Sequence, residues 1–270
     1  MYRKIMGFLE AWKESEHRKP LILQGARQVG KTYSILEFGR THYENVAYFN
    51  FETNPKLNET FEENISPDYL IPILSHIAGQ TIVTEKTLIV FDEVQLCERA
   101  LTSLKYFCEN APDYHIIVAG SLLGVAVNRA KFSFPVGKVD MKTLYPMDME
   151  EFMLALGEDD LVEQIKKCFQ TDTPLPSALH DAAMQLYRQY LVVGGMPECV
   201  MQFAGTKDYI LVRHTQDTIL ASYLNDMSKY NNLNEIKKTR LAYDNITVQL
   251  SKKNTRFQYK LIKKGGRASE

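Results

Sequence analysis

The feature that most constrains the fold is an eight-residue stretch, GARQVGKT, at residues 25–32. It matches the pattern G-x-x-x-x-G-K-[ST] at every position. The apolar run LILQ precedes it, and residues 31–43 follow it with helical spacing. The alternative, a chance glycine-rich turn, does not explain a strand before the stretch and a helix after it. We therefore predict a phosphate-binding loop formed by Gly25, Ala26, Arg27, Gln28, Val29, Gly30, Lys31 and Thr32.

Each residue type in this loop has a physical role. Glycine lets the backbone approach a phosphate closely, and successive N–H groups at a helix N-terminus attract anions. Lys31 would reach the β- and γ-phosphates of a nucleotide, and the Thr32 hydroxyl would bind Mg²⁺. We add Tyr33, the next residue of the helix, to the nucleotide-binding set.

A second motif, LIVFDEV, places two acids at the end of an apolar run. A carboxylate in that position is costly unless it is paired or bound to a metal. We predict that Asp92 holds Mg²⁺ through a water opposite Thr32, and that Glu93 polarises the attacking water as a general base. The alternative is a surface turn whose acids are merely solvated. The glycine-rich loop upstream favours the metal site.

Four apolar runs alternate with helical segments along the N-terminal half of the chain. The runs are LILQG, VAYFNFE, TLIVFDEV and HIIVAGS, which begin at residues 21, 46, 87 and 115. Strands that alternate with helices form a mostly parallel sheet, and strands that are apolar throughout are buried on both faces. The sequence therefore predicts a doubly wound α/β core.

The pattern changes after Pro146, where helical segments replace strands. We predict a core at residues 1–155, a helical lid at 156–232 and the start of a winged-helix-like module at 233–270. Ser269 and Glu270 have the composition of a helix start. We therefore expect the chain to stop inside a domain.

Composition excludes several classes of protein. The net charge of −1 gives no global basic field, so contact with nucleic acid would need a local patch. No apolar run has the length of a membrane span, and the N-terminus lacks the pattern of a secretory signal. These absences predict a cytoplasmic protein that contacts no membrane. The four cysteines lack metal-ligand spacing and are expected to be free thiols.

Two further segments have two interpretations each. Ser121 ends the fourth apolar run, where it would either sense the γ-phosphate or cap the next helix. The stretch GGMPE, residues 194–198, would be either a lid loop that touches the adenine base or a simple turn between helices. The sequence does not choose among five candidates for a catalytic arginine, which are Arg27, Arg99, Arg129, Arg213 and Arg240.

Basic residues concentrate at the C-terminal end, with aromatic residues between them. This basic segment would either contact DNA phosphates through a helix-turn-helix face or be a solvated surface. Its cations are Lys237, Lys238, Arg240, Lys252, Lys253, Arg256, Lys260, Lys263, Lys264 and Arg267.

Five motifs occur together in an order and spacing that resemble one family. They are LILQGARQVGKT, LIVFDEVQ, AGSLLG, FPVGKVDMKTLYPMDMEEFMLALG and YLVVGGMPECV. Over residues 1–230 the chain resembles the prokaryotic AAA-like P-loop ATPases of the AAA_14 family, whose C-terminal part is a DUF4143 domain. The resemblance implies an ASCE/AAA-like core, a helical lid and a winged-helix-like segment, with the C-terminal domain missing.

The same resemblance implies roles for individual residues. Lys31 and Thr32 stand in the Walker A positions, and Asp92 and Glu93 in the Walker B positions. Ser121 stands at the sensor-1 position. Gly195 and Pro197 resemble the Gly-x-Pro element of the related STAND ATPases, which adds Pro197 to the nucleotide-binding set. The family also implies ATP as the nucleotide.

The motifs support functions of two classes. The first is a Mg²⁺-dependent ATPase, in which Thr32 and Asp92 place Mg²⁺ while Glu93 orients water. The second is a nucleotide-switched module that binds DNA or protein, with a second copy of the chain as a further candidate partner. A substrate kinase is the weakest hypothesis, because no acceptor-binding motif accompanies the acids.

Overall fold

The computed structural model of the chain describes residues 1–120, 135–229, 233–252 and 258. The chain divides into two compact units, Met1–Val212 and Arg213–Glu270. The strands are β1 (Leu21–Gln24), β2 (Asn45–Asn50), β3 (Thr87–Asp92), β4 (His115–Gly120) and β5 (Asp140–Thr143). The helices are α1 (Ile5–Lys13), α2 (Lys31–His42), α3 (Lys56–Glu63), α4 (Pro67–Ala78), α5 (Glu98–Asn110), α6 (Met149–Ala155), α7 (Asp159–Gln170), α8 (Ser177–Val193), α9 (Pro197–Thr206), α10 (Tyr209–Lys229), α11 (Leu233–Asp244) and α12 (Ile246–Leu250), with a 3₁₀ turn at Val94–Leu96.

The strands form one parallel sheet in the order β2-β3-β4-β1-β5. Strand β4 lies between β1, which precedes the glycine-rich loop (residues 25–32), and β3, which ends at the acidic pair. Because the strands are parallel, their C-terminal ends share one edge of the sheet. The parallel sheet with flanking helices confirms the predicted ASCE/AAA-like α/β core.

Helices cover both faces of this sheet, and the alternation of side chains along each strand explains how. Ile89 and Phe91 of β3 belong to an apolar cluster with residues of α3, α4 and α5. Leu88 and Val90 belong to a second cluster with residues of α1 and α2. Strands β3 and β4 are buried along their whole lengths, as the apolar runs predicted.

The sheet contains a fifth strand, β5, which the sequence pattern does not predict. Its sequence, DMKT, is polar and its side chains are partly exposed. It lies at the edge of the sheet, where pairing with β1 comes from backbone hydrogen bonds. An edge strand can be polar because only one of its sides is covered, so it leaves no apolar run in the sequence.

Residues 56–79, whose sequence has helical spacing, form two helices, α3 and α4. Ser66 is extended and Pro67 begins α4. Proline favours the first position of a helix and disfavours helical geometry in the residue before it, so it separates the two segments.

Helices α6 to α9 follow the sheet in the first unit, as the helical pattern after Pro146 predicted. In the second unit, the Gln249 side chain bonds the backbone of Gln258 through both its amide nitrogen (3.1 Å) and its oxygen (3.0 Å). The lid at 156–232 and the winged-helix-like module stay predictions. In the part of the chain that the structure describes, no helix combines the length and apolar character that crossing a membrane requires.

Candidate functional site

The glycine-rich loop surrounds the ammonium group of Lys31. Lys31 Nζ donates hydrogen bonds to the carbonyl oxygens of Gly25 (2.9 Å) and Ala26 (2.8 Å). Burial lowers the pKa of Lys31, while the carboxylates of Glu93 and Asp92 raise it. Within the part of the chain that the structure describes, both hydrogen-bond acceptors of this ammonium are neutral carbonyls, so an incoming phosphate would meet a buried positive charge.

The loop backbone ends at the N-terminus of α2, with Gly30 in the left-handed region at a φ of 89°. Gln28 is also left-handed, at a φ of 62°. No side chain caps α2 in the described structure, so its first N–H groups face the loop without a side-chain acceptor. Uncapped N–H groups at a helix N-terminus favour an anion.

Gly25 has a steric reason for being glycine. A Cβ added there would lie 2.3 Å from the carbonyl oxygen of Leu144, and its φ is 155°. The segment after β5 therefore packs directly against the start of the loop. The sequence predicts that this glycine allows close approach to phosphate; the structure shows that it accommodates a neighbouring backbone.

Asp92 lies at the centre of a hydrogen-bond network that joins α2, β2 and β3. Its Oδ2 accepts from Thr32 Oγ1 (2.9 Å) and from Tyr48 OH (2.7 Å), and its Oδ1 accepts from the Glu93 N–H (2.9 Å). Asp92 is only 4% exposed. The alternative of solvated acids on a surface turn is therefore wrong for Asp92.

Tyr48 and Asn50 were missed by the sequence analysis. Burial raises the pKa of the Tyr48 hydroxyl to about 12, so it remains a neutral donor to Asp92. Asn50 in turn donates to the Tyr48 hydroxyl at 3.2 Å. The available signal was the alternation of polar with apolar residues in VAYFNFE, which places both polar side chains on one face of β2.

Glu93 follows Asp92 in the left-handed region, at a φ of 52°. A non-glycine residue in this conformation is unusual, and such strain concentrates at functional sites. The side-chain amide of Gln95 donates a hydrogen bond to the Glu93 carboxylate. The two acids therefore have different partners: Asp92 bonds Thr32, whereas Glu93 bonds Gln95 in the turn that follows β3.

Thr32 and Asp92 fit a magnesium ion that takes its other ligands from phosphates and water. Among the described residues, no group of three or more His, Cys, Asp or Glu side chains could hold a metal by itself. Thr32 and Asp92 supply a hydroxyl and a carboxylate. Magnesium prefers oxygen ligands and is usually held by one or two carboxylates together with phosphates and water.

The GGMPE segment lies against the loop. A Cβ on Gly195 would be 2.1 Å from the carbonyl oxygen of Met147, and the Met147 N–H donates to Gly195 O at 2.6 Å. A Cβ on Gly30 would lie 3.8 Å from Pro197 Cγ. Pro197 therefore borders the glycine-rich loop, whereas its contact with adenine stays a prediction.

The remaining predicted residues are dispersed. Tyr33 is 59% exposed on α2, and the side chain of Val29 is fully buried. Arg99 donates to Phe61 O and Arg213 pairs with Asp217. Lys237, Lys238 and Arg240 are exposed on α11. Ser121, Arg129, Lys253, Arg256, Lys260, Lys263, Lys264 and Arg267 lie outside the described residues.

A parallel sheet in this order, with a glycine-rich loop after β1 and an acidic pair after β3, is the architecture of an AAA-like P-loop ATPase. Residues 17–153 match the family model AAA_14, described as an AAA domain. The chain belongs to this family. Residues 184–270 match a different model, a domain of unknown function named DUF8612, and the expected DUF4143 domain is not confirmed. No curated protein matches the chain.

Several solved structures resemble the chain at low identity. Caenorhabditis elegans PCH-2 is 11% identical with a TM-score of 0.41; the match covers 76% of this chain and 63% of PCH-2. Drosophila ORC bound to DNA is 15% identical with a TM-score of 0.44, covering 94% and 68%. The Thermotoga maritima RuvB branch migration motor is 14% identical with a TM-score of 0.40, covering 87% and 66%.

Proposed function

We propose that this protein binds ATP with Mg²⁺ and hydrolyses it to ADP and inorganic phosphate. The observation that carries the proposal is the 2.9 Å hydrogen bond from Thr32 to Asp92. It joins the helix after the glycine-rich loop to the end of β3, so a hydroxyl and a carboxylate meet beside the loop. This pair of oxygen ligands suits a magnesium ion that also binds nucleotide phosphates.

Each residue of the site has a role in this reaction. The loop N–H groups and Lys31 would hold the β- and γ-phosphates and stabilise charge on the transferred group. Glu93 would accept a proton from the water that attacks the γ-phosphorus as the bond to the ADP oxygen breaks. Bound Mg²⁺ would neutralise negative charge on the phosphates.

Nucleotide state would also change the conformation of the segment beside the loop. Pro197 borders Gly30, and Gly195 is fixed to Met147 by the close backbone contact described above. A bound phosphate that moves the loop would therefore displace residues 194–198. We propose that this segment begins the coupling between nucleotide and the helical lid at 156–232.

A second function is a nucleotide switch with little intrinsic hydrolysis. The observation in its favour is the hydrogen bond from Gln95 to Glu93, because it engages the carboxylate that would activate water. The output would be binding of DNA through the C-terminal basic segment, where Lys237, Lys238 and Arg240 are exposed on α11, or binding of a protein or second copy.

The test measures phosphate release from Mg²⁺·ATP and nucleotide affinity for the wild-type chain and for Glu93→Gln. The amide keeps the shape of the side chain but cannot accept the proton. We expect the variant to bind ATP as the wild type does and to release phosphate at least about 100-fold more slowly. Glu59→Gln, at an exposed acid of α3, is the matched control and should hydrolyse ATP at the wild-type rate.

The outcomes separate the two functions. If the wild type and Glu93→Gln both bind ATP and neither releases phosphate, the chain is a switch. If Glu93→Gln hydrolyses as fast as the wild type, Glu93 is not the base. A wild-type chain that binds neither ATP nor ADP in the presence of Mg²⁺ would contradict both functions.

A further inference from the structure

A buried arginine connects the glycine-rich loop with two other segments. Arg3, which is 4% exposed, donates from Nη1 to Val29 O (2.9 Å), from Nη2 to Tyr145 O (2.7 Å) and from Nε to Glu151 Oε1 (3.0 Å). Val29 lies in the loop, Tyr145 follows β5 and Glu151 lies in the first turn of α6. One guanidinium therefore fixes the distance between all three segments.

The partner carboxylate of this arginine is itself fixed. Glu151 Oε1 also accepts from the Lys4 N–H (2.7 Å), and Glu151 Oε2 accepts from the Asp148 N–H (3.2 Å). Asp148 completes a capping box by accepting from the Glu151 N–H at 2.9 Å. A reciprocal cap anchors the side chains at a helix N-terminus, so Glu151 couples Arg3 rigidly to α6.

The bond from Arg3 to Val29 O determines the direction of a loop N–H group. Val29 C=O and Gly30 N–H belong to one planar trans peptide, in which the two groups point in opposite directions. Holding the carbonyl toward the buried Arg3 therefore points the Gly30 N–H away from Arg3. Gly30 is also the residue that caps α2, where N–H groups attract anions.

We propose that Arg3 and Glu151 are a positioning pair, which holds the loop in its phosphate-binding conformation and transmits phosphate occupancy to α6. The pair would act on a bound nucleotide indirectly, through the Val29–Gly30 peptide. The proposal rests on the nucleotide binding proposed above. It names the route by which the phosphates of a nucleoside triphosphate would affect the helices that follow the sheet.

Two variants test the pair. Arg3→Lys retains a cation for Glu151 but lacks the planar fork that reaches three acceptors at once. Arg3→Met/Glu151→Gln removes both buried charges together, which avoids leaving one charge without its partner. For each we expect the Kd for a fluorescent ATP analogue with Mg²⁺ to rise about tenfold or more.

Lys4→Met is the matched control. Lys4 is the neighbouring cation and pairs through Nζ with the exposed Asp148 and the partly exposed Glu150, at 2.6 Å each. None of its described contacts involves the loop, and the substitution preserves its backbone bond to Glu151. We expect the control to bind the analogue with the wild-type Kd.

A second readout separates positioning from a purely structural role. Hydrogen exchange of residues 149–155 is measured with and without Mg²⁺ and the ATP analogue, alongside the unfolding temperature. We expect the nucleotide to slow exchange of α6 in the wild type and Lys4→Met. In Arg3→Lys this effect should be lost, even where the unfolding temperature is close to that of the wild type.

The outcomes distinguish failure of this pair from failure of the proposed function. If the wild type binds the analogue and the folded variants bind it equally well, the pair does not position the loop, whereas nucleotide binding stands. If Arg3→Lys does not fold, the Kd of Arg3→Met/Glu151→Gln is compared with that of the wild type instead. A wild-type chain that binds no nucleotide would overturn both proposals.

Discussion

Tyr48 contributes to the candidate metal site from a neighbouring strand. Among the described residues, Asp92 accepts hydrogen bonds from three donors, which are Tyr48, Thr32 and the Glu93 N–H. For Tyr48→Phe we expect the Mg²⁺ concentration that gives half-maximal nucleotide binding to rise about five- to tenfold, because the carboxylate loses one neutral hydrogen bond and its fixed orientation. The measurement is a Mg²⁺ titration of analogue binding.

The control for this substitution is Tyr187→Phe, at an exposed tyrosine of α8. It should show the wild-type Mg²⁺ dependence. If Tyr48→Phe has the same titration midpoint as this control, Tyr48 does not orient Asp92 for the metal.

Gly195 offers a test of packing at a single residue. For Gly195→Ala, the added Cβ would lie 2.1 Å from Met147 O, so the backbone must shift. We expect a loss of about 1–3 kcal/mol in the free energy of unfolding, the usual cost of overpacking. Urea denaturation measures it.

Gly205→Ala is the matched comparison, because outside its chain neighbours and the helix's own backbone no atom of the described residues lies within 4 Å of a Cβ at that position of α9. Alanine should stabilise this helix by up to about 1 kcal/mol. Equal effects of the two substitutions would show that the close contact at Met147 carries no strain.

At the scale of elements, helix α1 and the segment after α2 pack on the start of β4 around a neutral histidine. The rings of Trp12 and His115 pack edge-on, with their centroids 6.1 Å apart. The Tyr43 hydroxyl forms a hydrogen bond with His115 Nδ1 at 2.7 Å. Burial, followed by the charges of Arg18 and Lys13, lowers the pKa of His115 to about 4 from 6.5. Between pH 6.5 and about 4, the unfolded chain therefore binds a proton at His115 that the folded protein does not bind.

This depressed pKa predicts a pH dependence of stability. The contribution of neutral His115 is complete above the unfolded pKa of 6.5 and is lost as the pH falls from 6.5 towards 4. We expect the free energy of unfolding to decline over this interval in the wild type, and less steeply in His115→Gln. Urea titrations at pH 7 and pH 4.5 measure both slopes, and equal slopes would contradict this role of His115.

The elements differ in how well the sequence predicted them. Strands β1 to β4 were predicted because each is an apolar or mostly apolar run in the sequence. Strands β3 and β4 are buried along their whole lengths, whereas the side chains of β2 alternate between buried and more exposed positions. Strand β5 was missed because its pairing with β1 depends on backbone groups, which leave no side-chain pattern. The division of α3 from α4 at Ser66-Pro67 was not predicted, although a proline favours the start of a helix.

At the scale of the whole molecule, the described residues of the candidate site lie in Met1–Val212. We predict that a chain of residues 1–212 folds cooperatively and binds the ATP analogue with Mg²⁺ as tightly as the full chain. Circular dichroism and analogue titration measure this. A shortened chain that folds but binds no nucleotide would show that Arg213–Glu270 contributes to binding.

The sequence by itself determined the local features of this protein: the glycine-rich loop, the apolar strands, the acidic pair and the AAA_14 family. These features depend on neighbouring residues and on periodicity, which a sequence displays directly. Only the tertiary structure decided which distant residues meet. Strand order brings Thr32 to Asp92 across 60 positions, and Arg3 reaches Glu151 across 148. Such contacts depend on how layers pack, and no local pattern encodes them.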